Sequence, residues 1–117
     1  MPENLLKLLA DRNRLFILAS CSQDDCFATD IAACLGLKQA TVSCHLALMK
    51  KENLLCVHPH KNWHGYYLNP DLLPDSMSII RPVLTQLYQD QDWQLFHEKM
   101  MRMKELRRLK ENYNPSI

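Results

Sequence analysis

The chain has 117 residues, 47% hydrophobic and 23% charged, with a formal net charge of +1; it is sized for one small domain and is too short for two cores or a catalytic cleft between domains. Its two glycines, Gly36 and Gly65, exclude the Gly-rich phosphate loops of nucleotide-binding proteins, and no apolar run approaches the roughly 20 residues that cross a bilayer. The five cysteines are odd in number, lack Cys-x-x-Cys spacing and accompany no export signal, which points to reduced thiols in the cytoplasm rather than a disulfide framework.

Residues 3 to 9 carry Leu5, Leu6, Leu8 and Leu9, a short apolar helix that needs a partner surface. Asp11 is suited to cap a second helix, in which Leu15, Leu18 and Ala19 recur at helical spacing to about Ser20. After the polar stretch from Ser22 to Asp25, Thr29 is suited to cap a third helix. Ile31, Cys34 and Leu35 face inward there until Gly36 stops it.

The period restarts almost at once. Val42, Leu46 and Met49 share one face, while Ala40, Ser43, Cys44, Ala47 and Lys51 populate the other, so residues 30 to 50 read as a helix-turn-helix. Residues 54 to 68 change character: Leu54–His58 and Trp63–Leu68 are rich in strand formers and flank a polar loop, which predicts a hairpin, or wing. Beyond Asn69-Pro70-Asp71 a helix carries Ile79, Ile80, Val83, Leu84 and Leu87; with Pro82 inside the pattern, it should kink there or start near Arg81. A last amphipathic helix carries Trp93, Phe96, Met100, Met103 and Leu106 and grows basic toward Lys110.

Charge is unevenly spread. Residues 36 to 64 hold Lys38, Lys50, Lys51 and Lys61 against Glu52 alone, with four of the five histidines, and residues 98 to 112 hold six basic against three acidic side chains. In the second helix of the helix-turn-helix, Gln39, Ala40, Thr41, Ser43 and Cys44 are small or polar, which permits close approach to base edges in a major groove. Lys38, Lys50, Lys51 and Lys61 are placed to neutralise phosphates, with His60 and Asn62 of the wing as further contacts.

The fold class is therefore mainly α with a small β-hairpin: one winged helix-turn-helix domain with extra terminal helices. Three segments, LADRNRLFIL (Leu9–Leu18), DIAACLGLKQATVSCHLALMKKENLL (Asp30–Leu55) and WHGYYLNPD (Trp63–Asp71), together resemble the ArsR/SmtB family of bacterial winged-helix repressors. The resemblance implies a homodimer on a pseudo-palindromic DNA operator, repressing transcription until a soft or transition-metal ion, a metalloid or an oxidant releases it. It also implies that Ser43 and His45, in the SCHL motif, contact the operator. Cys44 stands where many relatives carry arginine, and Lys38 where serine often caps the recognition helix.

For dimerisation, residues 1–10 and 76–112 are the candidates. Leu5, Leu8, Leu9, Ile80, Val83, Leu84 and Leu87 exceed what one winged domain of this size is expected to cover, so a symmetric dimer would bury them. The rival reading is that the C-terminal helices fold back on their own domain.

Thiophilic metal or metalloid sites need two or three thiolates around one ion, with sulfur about 2.3 Å from zinc. Arsenic-sensing relatives typically place a Cys-Val-Cys pair just before the helix-turn-helix aspartate; here CFATD leaves Cys26 alone there. Cys21 and Cys26 bracket one loop, and Cys56 is a possible third ligand, so a metal or redox site on Cys21, Cys26 and Cys56 competes with small semi-buried side chains and no bound ion at all. Cys34 reads as core. Cys44 is either a plain surface residue or a redox-sensitive thiol facing DNA, and His45 is either a contact or a partly buried residue under the wing. His58, His60 and His64 are either polar wing residues that meet the minor groove or solvent, the favoured reading, or a further candidate zinc cluster across the hairpin.

Catalysis fails on geometry. Cys44 and His45 are consecutive on one helix and point about 100° apart, so neither an enzyme nor a small-molecule substrate is expected, and no membrane partner either. The contrasting non-enzymatic reading is a winged-helix protein-interaction module, or a constitutive regulator without an inducer site.

Overall fold

A computed structural model describes residues 2–59 and 64–112. Six helices and one two-stranded antiparallel sheet follow in the order α1 (Pro2–Leu9), α2 (Arg12–Gln23), α3 (Ala28–Leu35), α4 (Gln39–Lys51), β1 (Leu55–Pro59), β2 (His64–Leu68), α5 (Pro74–Leu87) and α6 (Gln91–Asn112).

Local chemistry sets the boundaries. Asp11 caps α2 as expected, its carboxylate accepting the Arg14 amide at 3.0 Å. The Arg14 guanidinium turns back to donate to the carbonyls of Leu8 at 2.7 Å and Lys7 at 3.2 Å, placing a cation on the open C-terminus of α1. Helix α2 outruns its expected end at Ser20 and reaches Gln23; the Ser22 hydroxyl donates back to the Ala19 carbonyl at 2.6 Å, so the polar stretch continues the helix.

Helix α3 departs from expectation at its start. Thr29 does not cap it; Phe27 occupies that position, with no side-chain cap bond, and Thr29 lies in the first turn. The cause is tertiary: the amide and carbonyl of Cys26 both bond to Tyr66 of β2 at 2.8 Å, forming an isolated bridge after which the helix starts. Gly36 ends the helix as expected, at φ 69°. A second left-handed residue, Asn53 at φ 63°, ends α4, and the Leu54 amide then reaches back to the Met49 carbonyl at 2.9 Å.

The wing pairs Leu55 with Leu68, Cys56 with Tyr67, Val57 with Tyr66, His58 with Gly65 and Pro59 with His64. Helix α5 starts at Pro74, not near Arg81, and Pro82 lies in its interior as an exposed residue. Asp90 starts α6: its Oδ1 accepts the amides of Asp92 at 2.8 Å and Trp93 at 3.1 Å.

The core is built from Ile17 and Leu18 of α2, Ile31 of α3, Val42, Leu46 and Met49 of α4, Leu55, Ile80 of α5 and Met100 of α6, all almost fully buried. Phe16, Trp93 and Phe96 extend it as an aromatic cluster with ring centroids 5.4–5.8 Å apart. This corrects the expectation of surplus leucine: Leu5, Leu8, Leu9, Ile80, Leu84 and Leu87 are already buried within one protomer and Val83 is half-buried. Burial of these leucines therefore does not by itself call for a second copy. The large apolar side chains left in solvent are others, including Leu6 at 56% and Leu73 at 70% exposure, with Leu95, Leu106 and Leu109 on α6. Among the described residues, no helix is long and apolar enough to cross a membrane.

Candidate nucleic-acid interface

Helix α4 is anchored by one face and open on the other. Val42, Leu46 and Met49 are at most 1% exposed, whereas Gln39, Ala40, Thr41, Ser43, Cys44 and Ala47 are all exposed. His45 sits at the edge between the faces, half-buried. Lys38 precedes the helix, with no side-chain cap bond and in solvent, and Lys50 and Lys51 are exposed in its last turn. The wing contacts His60, Lys61 and Asn62 lie outside the described residues.

A cleft of about 260 Å³ joins this helix to two other elements. Thr29 of α3, Gln39 and Ser43 of α4, and His64 and Tyr66 of β2 line it. The first turn of α3 opens here, and a helix start presents backbone N–H groups suited to an anion such as a phosphate. Sequence alone does not mark Thr29 or Tyr66 as interface residues, and it offers His64 either as a metal ligand or as a polar wing residue facing the minor groove or solvent. Their common signal is spatial, because it depends on the Cys26–Tyr66 bridge that brings the start of α3 to the wing.

The thiols divide. Cys21 and Cys26 are buried and adjacent: hydrogen bonding with Cys26 and then burial hold the Cys21 thiol well above its ordinary pKa. The Cys26 thiol donates to the Asp24 carbonyl at 3.6 Å. Cys56 does not join them. It is registered with Tyr67, whereas Cys26 pairs with Tyr66, and neighbouring positions on a strand face opposite ways. Among the described residues no group of three or more His, Cys, Asp or Glu side chains is placed to hold a metal ion, so the three-thiol site is not assembled.

The wing histidines divide for the same reason. His58 is opposite Gly65 and His64 opposite Pro59, which puts the two on opposite faces of the hairpin, and His60 lies outside the described residues. His58 instead meets Asp25, Nε2 to Oδ2 at 2.5 Å, with its ring 5.0 Å from that of Tyr67. Cys34 is half-buried against the core, and burial with the nearby Asp30 carboxylate raises its thiol pKa. Cys44 is exposed.

The family model described as "Bacterial regulatory protein, arsR family" matches residues 11–56. The chain is similar to the arsenical resistance operon repressor of Escherichia coli (strain K12), 30% identical over 101 residues that cover 86% of this chain and 79% of that protein. Among solved structures it is similar to reduced HlyU from Vibrio cholerae, with 25% identity and a TM-score of 0.63 over 76% of this chain and 90% of that one. The homodimeric winged helix-turn-helix DNA-binding domain of Mb0332 from Mycobacterium bovis shares the fold, with 21% identity and a TM-score of 0.60 over 76% and 80% of the two chains. An anchored helix with a bare flank, flanked by a wing, thus agrees with the sequence relationship, and the chain belongs to the arsR family of bacterial regulatory proteins, which are transcriptional regulators and not enzymes.

Proposed function

We propose that the protein is a homodimeric transcriptional repressor that reads a pseudo-palindromic operator with α4 in the major groove and releases it when an inducer acts on Cys21 and Cys26. The observation that carries the DNA reading is the two-sided character of α4: a fully buried apolar edge fixes the rod, and small polar side chains fill its free flank. Gln39, Thr41 and Ser43 contact base edges, with His45 at the margin and Ala40 and Cys44 giving close approach. Lys38, Lys50, Lys51 and the wing residues His60, Lys61 and Asn62 meet the backbone. The cleft between Thr29, Ser43 and His64 takes a phosphate.

Homodimerisation is carried over from the Mb0332 domain, whose two-fold assembly suits a two-half-site operator. The outer edges of α1 and α5, where Leu6 and Val83 keep apolar surface uncovered, support these helices as the contact. A thiophilic inducer, a metalloid or soft metal ion or an oxidant, is favoured by two adjacent thiols beside the bridge that positions β2.

The test is binding of the reduced protein to its own promoter DNA across a salt series, repeated with arsenite, zinc, cadmium and peroxide. The repressor reading requires a steep fall of affinity with salt, and a response that disappears in the Cys21→Ser and Cys26→Ser variants. Indifference to DNA would leave a winged-helix protein-interaction module, and an undiminished response in those variants would remove the thiol pair from the mechanism.

A further inference from the structure

Resting on the DNA-binding reading, we propose that His58 is a positioning residue for operator binding: held by Asp25, it fixes the wing against the α2–α3 connection, most firmly when its imidazole is protonated.

The wing needs outside support. A two-stranded hairpin is marginal by itself in water, so its direction relative to α4 is set by what ties it to the body. At its base, the Asn69 amide donates to the Leu54 carbonyl at 3.0 Å, and the Asn69 side-chain nitrogen donates to the Asn53 carbonyl at 2.9 Å. In the middle of β2, Tyr66 exchanges two backbone bonds with Cys26, each 2.8 Å long. Further along β1, one residue before its end, His58 Nε2 meets Asp25 Oδ2 at 2.5 Å.

The last two ties start from consecutive residues and grip different strands. Asp25 holds β1 and Cys26 holds β2, so the short connection between α2 and α3 works as a two-point clamp. The same connection leads into α3, which with α4 forms the helix-turn-helix. Wing and recognition helix thus share one anchor.

Charge makes the His58 tie conditional. It is an ion pair only while the imidazole carries its proton, and charge-assisted bonds are roughly twice as strong as neutral ones. Within the hairpin, Cys56 and Tyr67 share the face that carries His58, and the Tyr67 ring lies 5.0 Å from the imidazole. Asp25 shares one cleft with Asp24, Lys104, Glu105, Arg107 and Arg108, and another with Cys21 and Arg81. Carboxylic acids, amines and guanidines ordinarily keep one charge from pH 6 to 8, and thiols and phenols ordinarily ionise above that range, whereas histidine changes charge within it. The Tyr67 phenol is pushed further up, by burial first. The His58 and Asp25 side chains are 43% and 29% exposed, so the tie is worth a few-fold in affinity and not orders of magnitude.

The test is operator affinity of the full-length protein at pH 6 and pH 8, at one salt concentration because phosphate contacts depend on it. Wild type is compared with D25N, D24N, H58R and H58R/D25N. Removing a negative charge from a DNA-binding surface would by charge alone tighten binding. The proposal requires the opposite of D25N: about threefold weaker binding at pH 6, with the gap narrowing at pH 8. D24N, the same charge change one residue away, should bind as well as wild type or better. H58R carries its cation at both pH values, so it should keep tight binding at pH 8. The pH dependence owed to other histidines, such as His45 and His64, is common to every protein compared. H58R/D25N should fall back to the affinity of D25N. Binding by D25N as tight as by D24N would overturn the proposal. Binding by H58R/D25N as tight as by H58R would also overturn it, because the charge at this position would then sit on a phosphate instead of Asp25. If wild type binds no promoter DNA at either pH, the operator reading itself falls and takes this one with it; a wild type that binds while D25N is unweakened overturns this one alone.

Discussion

Arg107 closes a two-bond clasp on Asp30, 77 positions earlier in the chain: Nη2 donates to Oδ1 at 2.7 Å and Nε to Oδ2 at 3.3 Å. The guanidinium also lies over the Phe27 ring, 4.3 Å from its centroid. Asp30 is only 3% exposed, and a buried carboxylate is tolerated when it is paired. The clasp fastens α6 to the first turn of α3, the helix that supports the recognition helix.

Removing one partner should therefore cost more than removing both. Arg107→Met leaves the Asp30 carboxylate buried and unpaired, with an expected loss of about 3 kcal/mol in urea denaturation. The double variant Arg107→Met/Asp30→Leu should recover most of that loss, because packed apolar groups often replace a buried ion pair at little net cost. An Arg107→Met protein as stable as wild type would show that the pair is solvated and contributes little.

Two left-handed residues bracket the recognition helix, and they predict opposite responses. Gly36→Ala should cost about 1 kcal/mol, a purely conformational penalty, since a Cβ at Gly36 meets nothing within 4 Å. Asn53→Gly should be neutral or stabilising at φ 63°, while Asn53→Val should destabilise by more than Gly36→Ala. Thermal unfolding of the three variants checks the order, and a neutral Asn53→Val would contradict it.

The contrast between those positions shows how far the sequence could be read. Gly36 was legible as a helix stop because glycine there has one common meaning, whereas Asn53 sits in a polar run and looks like any other turn residue. The buried edge of α4 was legible from its period, and the wing strands from their strand-forming residues on either side of a polar loop. The start of α3 was not, because Thr29 has the chemistry of a cap and the bridge that overrides it comes from Tyr66, far along the chain. Asp30 and Arg107 each look like surface charges until the fold brings them together. The leucines of α1 and α5 looked surplus because the sequence does not show how much of their surface one protomer covers. Cys21 and Cys26 could be paired from their spacing, but Cys56 needed the strand register to be separated from them.

Asp90 ties three elements, and the tie is sensitive to acid. The Trp93 amide and then the Arg12 guanidinium hold its carboxyl below the ordinary carboxylate range. A lowered folded-state value means stability that is fully present above the unfolded value of about 3.9 and is lost as pH falls through the folded one. Melting temperatures of wild type and Asp90→Asn should therefore differ by a constant amount above about pH 5 and converge below about pH 4. A gap that persists undiminished below pH 3 would place its origin outside the carboxylate charge.

Thiol reactivity should separate Cys44 from the buried pair. In the native protein at pH 7.5, mass spectrometry after brief alkylation should find Cys44 modified first and Cys21 last, because the Cys21 thiol is buried and its pKa raised by Cys26. If an inducer displaces the proton from Cys21, its action on DNA release should quicken as pH rises from 7 toward 9. Labelling of Cys21 as fast as Cys44 would contradict the burial of the pair.

Cys44 offers a gain-of-function test of the groove-facing flank. It is exposed on α4 between Ser43 and the half-buried His45, at the position where the family resemblance implies an arginine. A guanidinium there has room to extend and can donate two hydrogen bonds to a guanine edge, a contact worth about 1–3 kcal/mol of discrimination. Cys44→Arg should therefore tighten binding to operator variants with guanine at one facing position by about tenfold, steepen the salt dependence slightly, and leave unfolding unchanged. Lys50→Gln, by contrast, should weaken binding to all sequences about equally and lower the salt slope by about one. Those opposite signatures, base-selective for one residue and sequence-blind for the other, are what a helix lying in the groove requires. An arginine at Cys44 that raised affinity equally for every sequence would put this flank against backbone, turning α4 away from the bases.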